Sequence, residues 1–274
     1  MEKHILSIGG GNMGRAIIGG LLAKGYPPER LCVVEPNENA RTLVTEQFGV
    51  SVSAACREIR DEEIVLLAVK PQIMQDVVTQ LAGLITGKRP LFISIAAGIT
   101  TNQISRWLDA VVPIVRVMPN TPSLVGRGAA ALFATAQTRD HEKVAAESVM
   151  AAVGLAEWVA DEALLDVVTA LSGSGPAYFF LFMELMEEIA VELGLERSIA
   201  RKLTIETALG SAELARNSTQ TPGELRQHVT SPGGTTQRAL EILDGGDIGG
   251  LMRKALRGAH SRSIELAAAA EEPA

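Results

Sequence analysis

The chain is poor in the residues that build several common kinds of protein. Its 274 residues include only two cysteines, Cys32 and Cys56, and four histidines. Two thiols make no disulfide framework, and Cys32, inside an apolar run, reads as a small hydrophobe. His4, His141, His228 and His260 are scattered without metal-ligand spacing, which speaks against a zinc site. Aromatic residues make up 4%, so Ala, Val, Leu and Ile must build the interior. Positive charge is in deficit. The net charge of −7 argues against a nucleic-acid surface. Long uninterrupted apolar runs are missing too. The longest, Ala177 to Met183, falls short of the ~20 residues that cross a bilayer. No secretory pattern precedes the first apolar segment. The expectation is a soluble, cytoplasmic protein with neither a membrane nor a nucleic-acid partner.

What is present is a high apolar fraction, 47%, in a chain long enough for one large or two ordinary domains. The first part alternates short apolar runs with helical patterns. Runs at 5–8, 31–34, 64–69, 91–95 and 114–118 read as strands, with 129–134 and 157–160 as later ones. Helical patterns fall at 13–24, 37–48, 54–59, 72–84, 102–108 and 141–152. Near-continuous apolar strands predict a sheet covered on both faces, and the alternation predicts a parallel, doubly wound α/β arrangement. From Asp161 onward helical periodicity takes over, which places a domain boundary between 1–160 and 161–274. The run from Tyr178 to Phe182 is apolar on nearly all sides. A helix without a polar face must be buried all round, and a half of this size is expected to do that by forming a homodimer.

The first strand runs into Gly9, Gly10, Gly11, Asn12, Met13 and Gly14, and then a helix. Gly9, Gly11 and Gly14 fit the G-x-G-x-x-G dinucleotide fingerprint. Gly9 permits the tight exit, Gly11 lets a pyrophosphate approach the backbone, and Gly14 lets the helix lie close to the strand. The helix N-terminus then offers amides and a positive dipole end to the anion. Ligands of open α/β sheets lie beyond the carboxyl ends of the strands. Those ends carry Glu35, Pro36 and Asn37, then Ala68, Val69, Lys70 and Pro71, then Ala96, Ala97 and Gly98, then Met118, Pro119 and Asn120. Glu35 stands about 20 residues beyond Gly14, where an acid binds a ribose diol. Read literally, that favours NAD, with Asn37 and Arg41 still able to accommodate a phosphate. Lys70 either reaches a phosphate or ribose or is simply solvated.

Two stretches interrupt the helical half. Leu171 to Ala177 is glycine-rich and reads as a bend or a close backbone approach. Val229 to Thr236 contains a Gly-Gly turn feeding a helix start. Its amides, with hydroxyls from Ser231, Thr235 and Thr236, suit a carboxylate. Ordinary N-capping by Ser or Thr fits the same residues.

Together these stretches resemble the pyrroline-5-carboxylate reductase family, above all in residues 172–178 and 229–236. The resemblance implies reduction of 1-pyrroline-5-carboxylate to L-proline by NADPH or NADH, the last step of proline biosynthesis. It implies an N-terminal Rossmann domain and an all-α C-terminal dimerisation domain, with dimers assembling into larger rings. By position, residues 9–14 would bind pyrophosphate, and Glu35 and Asn37 would face the adenosine ribose. Ala68, Val69, Lys70, Pro71, Ala97 and Pro119 would line the nicotinamide end. Ser231, Gly234, Thr235 and Thr236 would hold the substrate carboxylate, with Thr236 bonded to the ring nitrogen. NADPH is the family default, and Glu35 leaves NADH open. A β-hydroxyacid-type dehydrogenase and a non-catalytic nucleotide-binding regulator are the rival readings of the same first half.

Overall fold

A computed structural model describes residues 3–56, 59–61 and 63–269. Cα packing divides the chain into two compact units. One comprises the chain up to Ser174 together with the segment from Ala259, and the other spans Gly175–Gly258.

The first unit is built on strands β1 (Ile5–Ile8), β2 (Leu31–Val34), β3 (Ser51–Ser53), β4 (Ile64–Leu67), β5 (Leu91–Ser94), β6 (Ile114–Met118), β7 (Gly128–Ala134) and β8 (Gly154–Trp158). They form one sheet in the order β3-β2-β1-β4-β5-β6-β7-β8. Helices α1 (Asn12–Ala23), α2 (Glu38–Phe48), α3 (Met74–Ala82), α4 (Thr101–Leu108), α5 (Asp140–Ala151) and α6 (Leu164–Val168) accompany it. Strands β1, β4 and β5 are buried along their whole length, and strand periodicity sends alternate residues to opposite faces. Ile5, Leu66 and Ile93 enter one core cluster, with Ile17, Ile18 and Leu21 of α1 and Val149 of α5. Their neighbours Leu6, Val65 and Phe92 enter the other, with Val78 of α3 and Ile104 of α4.

The sheet is mostly parallel, as the sequence predicts, with a single antiparallel pair. Strand β7 runs antiparallel to β6, whereas every other neighbouring pair is parallel. A parallel return needs a crossover of a dozen or more residues. Only a short connection built on a 3₁₀ turn, Thr121–Val125, joins β6 to β7. The edge strand β8 begins at Gly154, earlier than expected, paired with Gly128. The expected helix over 54–59 falls partly on residues outside those described, and Ala54 to Cys56 are not helical.

The second unit contains α7 (Gly175–Glu192), α8 (Arg197–Arg216), α9 (Pro222–His228), α10 (Thr235–Gly245) and the first part of α11 (Ile248–Ala269). Helices α7 and α8 pack as a pair. Arg197 and Arg201 of α8 both reach Glu187 of α7, at 2.9 and 3.2 Å. The glycine-rich stretch before α7 does not break the helical path. Thr169–Gly173 forms a π-turn, closed by the Ser174 amide donating to the Thr169 carbonyl at 2.8 Å. Pro176 then falls in the first turn of α7, where a missing N–H leaves nothing unsatisfied.

The resulting helical run, Leu164–Glu192, is 29 residues long and contains an 18-residue window with a mean hydropathy of 1.3, enough to cross a membrane by length and composition. The sequence expectation counted uninterrupted apolar residues and so stopped at Glu184. Only 17% of that window is buried within the chain. Phe179, Phe180, Leu181, Phe182, Leu185, Met186 and Ile189 are all exposed.

Candidate active site

The glycine turn after β1 is shaped by contacts that exclude side chains. Gly9 has φ +102°, and a Cβ there would lie 2.6 Å from the Ala68 carbonyl oxygen. A Cβ on Gly14 would lie 2.9 Å from the Gly9 carbonyl oxygen, so this glycine sets how closely α1 approaches the strand exit. Gly11 is different: it is exposed, with nothing within 4 Å of its Cβ position. Gly11 is also the N-cap of α1, and no side chain caps that helix. The first-turn amides are therefore available at bare, solvent-facing backbone, where a phosphate group is favoured by both hydrogen bonding and the helix dipole. This arrangement fits a dinucleotide pyrophosphate.

Glu35 leaves the end of β2 and turns toward this loop. Its Oε2 accepts the Gly10 amide at 2.9 Å, and its Oε1 accepts the Asn37 amide at 3.0 Å. Asn37 caps α2 by accepting the Ala40 amide at 3.0 Å. Arg41 donates from Nη1 to the Glu35 and Pro36 carbonyls at 3.0 and 2.7 Å. Arg15 donates to Asn12 at 2.8 Å.

The other nucleotide-side candidates occupy the neighbouring strand ends. Ala68 and Val69 are half-buried and Lys70 is exposed beyond β4. Lys70 precedes a 3₁₀ turn that starts at Pro71. Ala97 is exposed beyond β5, and Pro119 is buried beyond β6. Because β2, β1, β4, β5 and β6 are consecutive in the sheet, their carboxyl ends form one row, from Glu35 and Asn37 through the glycine turn to Pro119. Pro71 and Ala97 open onto a cavity of about 720 Å³, also lined by Gly98, Trp107, Thr169 and Arg262.

Two further residues support this row, and sequence reasoning missed one of them, Glu162. Asn120 is buried, donates to the Ser172 carbonyl at 3.1 Å and accepts the Ala129 amide at 2.9 Å. Glu162 accepts the Thr101 amide and hydroxyl at 2.8 and 2.6 Å, and buried Arg116 at 3.0 Å. It thereby ties β6 to the start of α4, just beyond Gly98. Asn120 was visible as a strand-exit residue. Glu162 carries no local signal, because its partners lie far away in sequence.

In the second unit, Val229 to Thr236 forms the turn that opens α10. Gly233 has φ +71°, and Gly234 is the N-cap, with no side chain capping the helix. Hydroxyl capping is therefore absent here, whereas Thr100 and Thr221 do cap α4 and α9. The turn uses some of its own amides. Gly233 donates to Gln237 Oε1 at 2.7 Å, and Gly234 donates to the Ser231 carbonyl at 3.0 Å. The Gly234 amide is thus spent on closing the turn. Thr235 and Thr236 open the first helical turn, where amides lack intrahelical acceptors.

Among the described residues, no group of three or more His, Cys, Asp or Glu is placed to hold a metal ion.

Comparison with known proteins covers nearly all of the chain. A family model described as pyrroline-5-carboxylate reductase dimerisation matches residues 162–266, and one described as NADP oxidoreductase, coenzyme F420-dependent, matches residues 4–98. The chain is 43% identical to the pyrroline-5-carboxylate reductase of Pseudomonas aeruginosa, over 96% of this chain and 97% of that one. It is 41% identical to that of Haemophilus influenzae, over 97% and 98%. The solved structure of a pyrroline-5-carboxylate reductase from Coxiella burnetii superposes with a TM-score of 0.92 at 43% identity, covering 97% of this chain and 99% of that one. The Plasmodium falciparum pyrroline carboxylate reductase, crystallised with NADP bound, gives 0.82 at 26% identity, covering 97% and 98%. With a mostly parallel Rossmann-like sheet, a helical C-terminal region and this likeness from end to end, the chain belongs to the pyrroline-5-carboxylate reductase family.

Proposed function

We propose that this chain reduces 1-pyrroline-5-carboxylate to L-proline with NADPH or NADH, as the last step of proline biosynthesis. The observation that carries this reading is likeness to pyrroline-5-carboxylate reductases over 96% of the chain at 43% identity. The glycine turn and the uncapped start of α10 support it chemically.

The division of labour follows a boundary at Asp161, with nucleotide binding in 1–160 and substrate binding and dimerisation in 161–274. The backbone of Gly9, Gly10, Gly11, Asn12, Met13 and Gly14 holds the pyrophosphate. Glu35 and Asn37 meet the adenosine ribose. Ala68, Val69, Lys70, Pro71, Ala97 and Pro119 line the nicotinamide end. The bound dinucleotide supplies the hydride. The Thr235 and Thr236 amides hold the substrate carboxylate, with Gly234 and Ser231 shaping the turn beneath it. Oriented amides suffice for one carboxylate without an arginine clamp. The Thr236 hydroxyl hydrogen-bonds the imine nitrogen and supports it as it becomes an amine. The working form is a cytoplasmic homodimer joined through the C-terminal helices, with dimers assembling into rings and no membrane involved.

Oxidation of each reduced cofactor, followed by absorbance with pyrroline-5-carboxylate as substrate, tests the reaction. Turnover of short hydroxy acids in place of the imine would overturn it. Thr236→Ala should lower turnover by about tenfold or more, the loss expected for a positioned donor. A rate within about twofold of the parent would remove Thr236 from the mechanism.

A further inference from the structure

The strand-end turn at residues 35–41 is arranged around a carboxylate, and Arg41 turns its Nη1 to the backbone of that turn. The Gly10 and Asn37 amides fix both Glu35 oxygens, at 2.9 and 3.0 Å. Each oxygen keeps a lone pair, so the group can still accept from two hydroxyls. Glu38, in the first turn of α2, adds a second negative charge. The Arg41 guanidinium is held against the Glu35 and Pro36 carbonyls. Arg15 is turned to Asn12 in the glycine loop. A phosphate on the ribose 2′-oxygen would meet a fixed carboxylate at this place, whereas a free diol would find two acceptors.

Resting on the dinucleotide-binding reading above, we infer that Glu35 makes this chain select NADH over NADPH, against the NADP named for its Plasmodium falciparum relative. The choice is made at the 2′-position by charge repulsion and by the diol hydrogen bonds. It does not depend on the reacting ring.

The test is equilibrium binding, read from the fluorescence of NADH and of NADPH titrated with the purified full-length protein. The expected result is a dissociation constant for NADH at least about tenfold below that for NADPH. In Glu35→Ser the ratio should fall to within about threefold or invert, and added salt should narrow it in the parent, because repulsion between exposed charges is screened. Glu35→Gln keeps the side-chain shape and should shift the ratio the same way, so a folding defect in one variant does not obscure the result. Equal or tighter binding of NADPH by the parent would overturn the inference and leave the reductase reading intact. An unchanged ratio in both variants would also overturn it. Binding of neither nucleotide would overturn both.

Discussion

Glu142 shows how a single buried acid sets an acid limit on stability. It lies at the start of α5, 3% exposed, with Arg89 paired to both its oxygens and the Arg139 amide donating to Oε2 at 2.7 Å. Burial pushes its carboxyl up, but the Arg89 guanidinium and the Arg139 amide outweigh that and hold it below the usual carboxylate range. A depressed folded-state value means the unfolded chain binds the proton more readily. The stabilisation is therefore present above the ordinary value, near pH 4.5, and is lost as pH falls through the folded-state value. Melting temperature measured against pH should fall on acidification in the parent. Glu142→Gln should melt lower at neutral pH and show a shallower acid decline. An equally steep decline in the variant would show that other carboxylates control it.

At the level of secondary-structure elements, the row of strand ends depends on ties between segments distant in sequence. Arg116 on β6 is 4% exposed, and Glu162 before α6 is its partner at 3.0 Å. The same carboxylate accepts both donors of Thr101 at the start of α4. Removing one member of a buried pair strands the other charge, at a cost of about 3–5 kcal/mol, whereas replacing both with apolar groups of similar size is often neutral. Glu162→Ala should therefore lower stability by about 3 kcal/mol. The double change Arg116→Met with Glu162→Met should recover most of that. Chemical unfolding of the single and double variants separates this from simple loss of a contact. Equal destabilisation in both would mean the carboxylate acts mainly through Thr101.

At the scale of the whole molecule, the helical unit lacks a core of its own. Of the residues in α7, only Gly175 is buried, and Phe179, Phe180 and Ile189 are 66%, 62% and 52% exposed. An apolar surface of that extent marks an interaction site, and the dimerisation family model matches this region, 162–266. Sedimentation should find the parent as a dimer or a larger assembly of dimers. Phe180→Arg combined with Ile189→Arg should shift it to monomer with reduced thermal stability, since burying unpaired charge is costly. A parent chain that sediments as a monomer would contradict the dimer and point the α7 face toward another partner, a membrane among them.

Much of this protein can be read from local spacing. Most of the order of strands and helices, the glycine turn, Glu35 at the end of β2 and the helical second half follow from periods of two or 3.6 residues and from glycines at fixed intervals. Such patterns need no knowledge of distant residues. Pairings across the chain were beyond that reach. The antiparallel turn of β7 followed from the reach of one short connection. The tie between Arg116 and Glu162 and the Gly10 amide that orients Glu35 depend on which groups the folded backbone brings within hydrogen-bond distance. Residue order specifies the available donors and acceptors, and packing in three dimensions selects the partners.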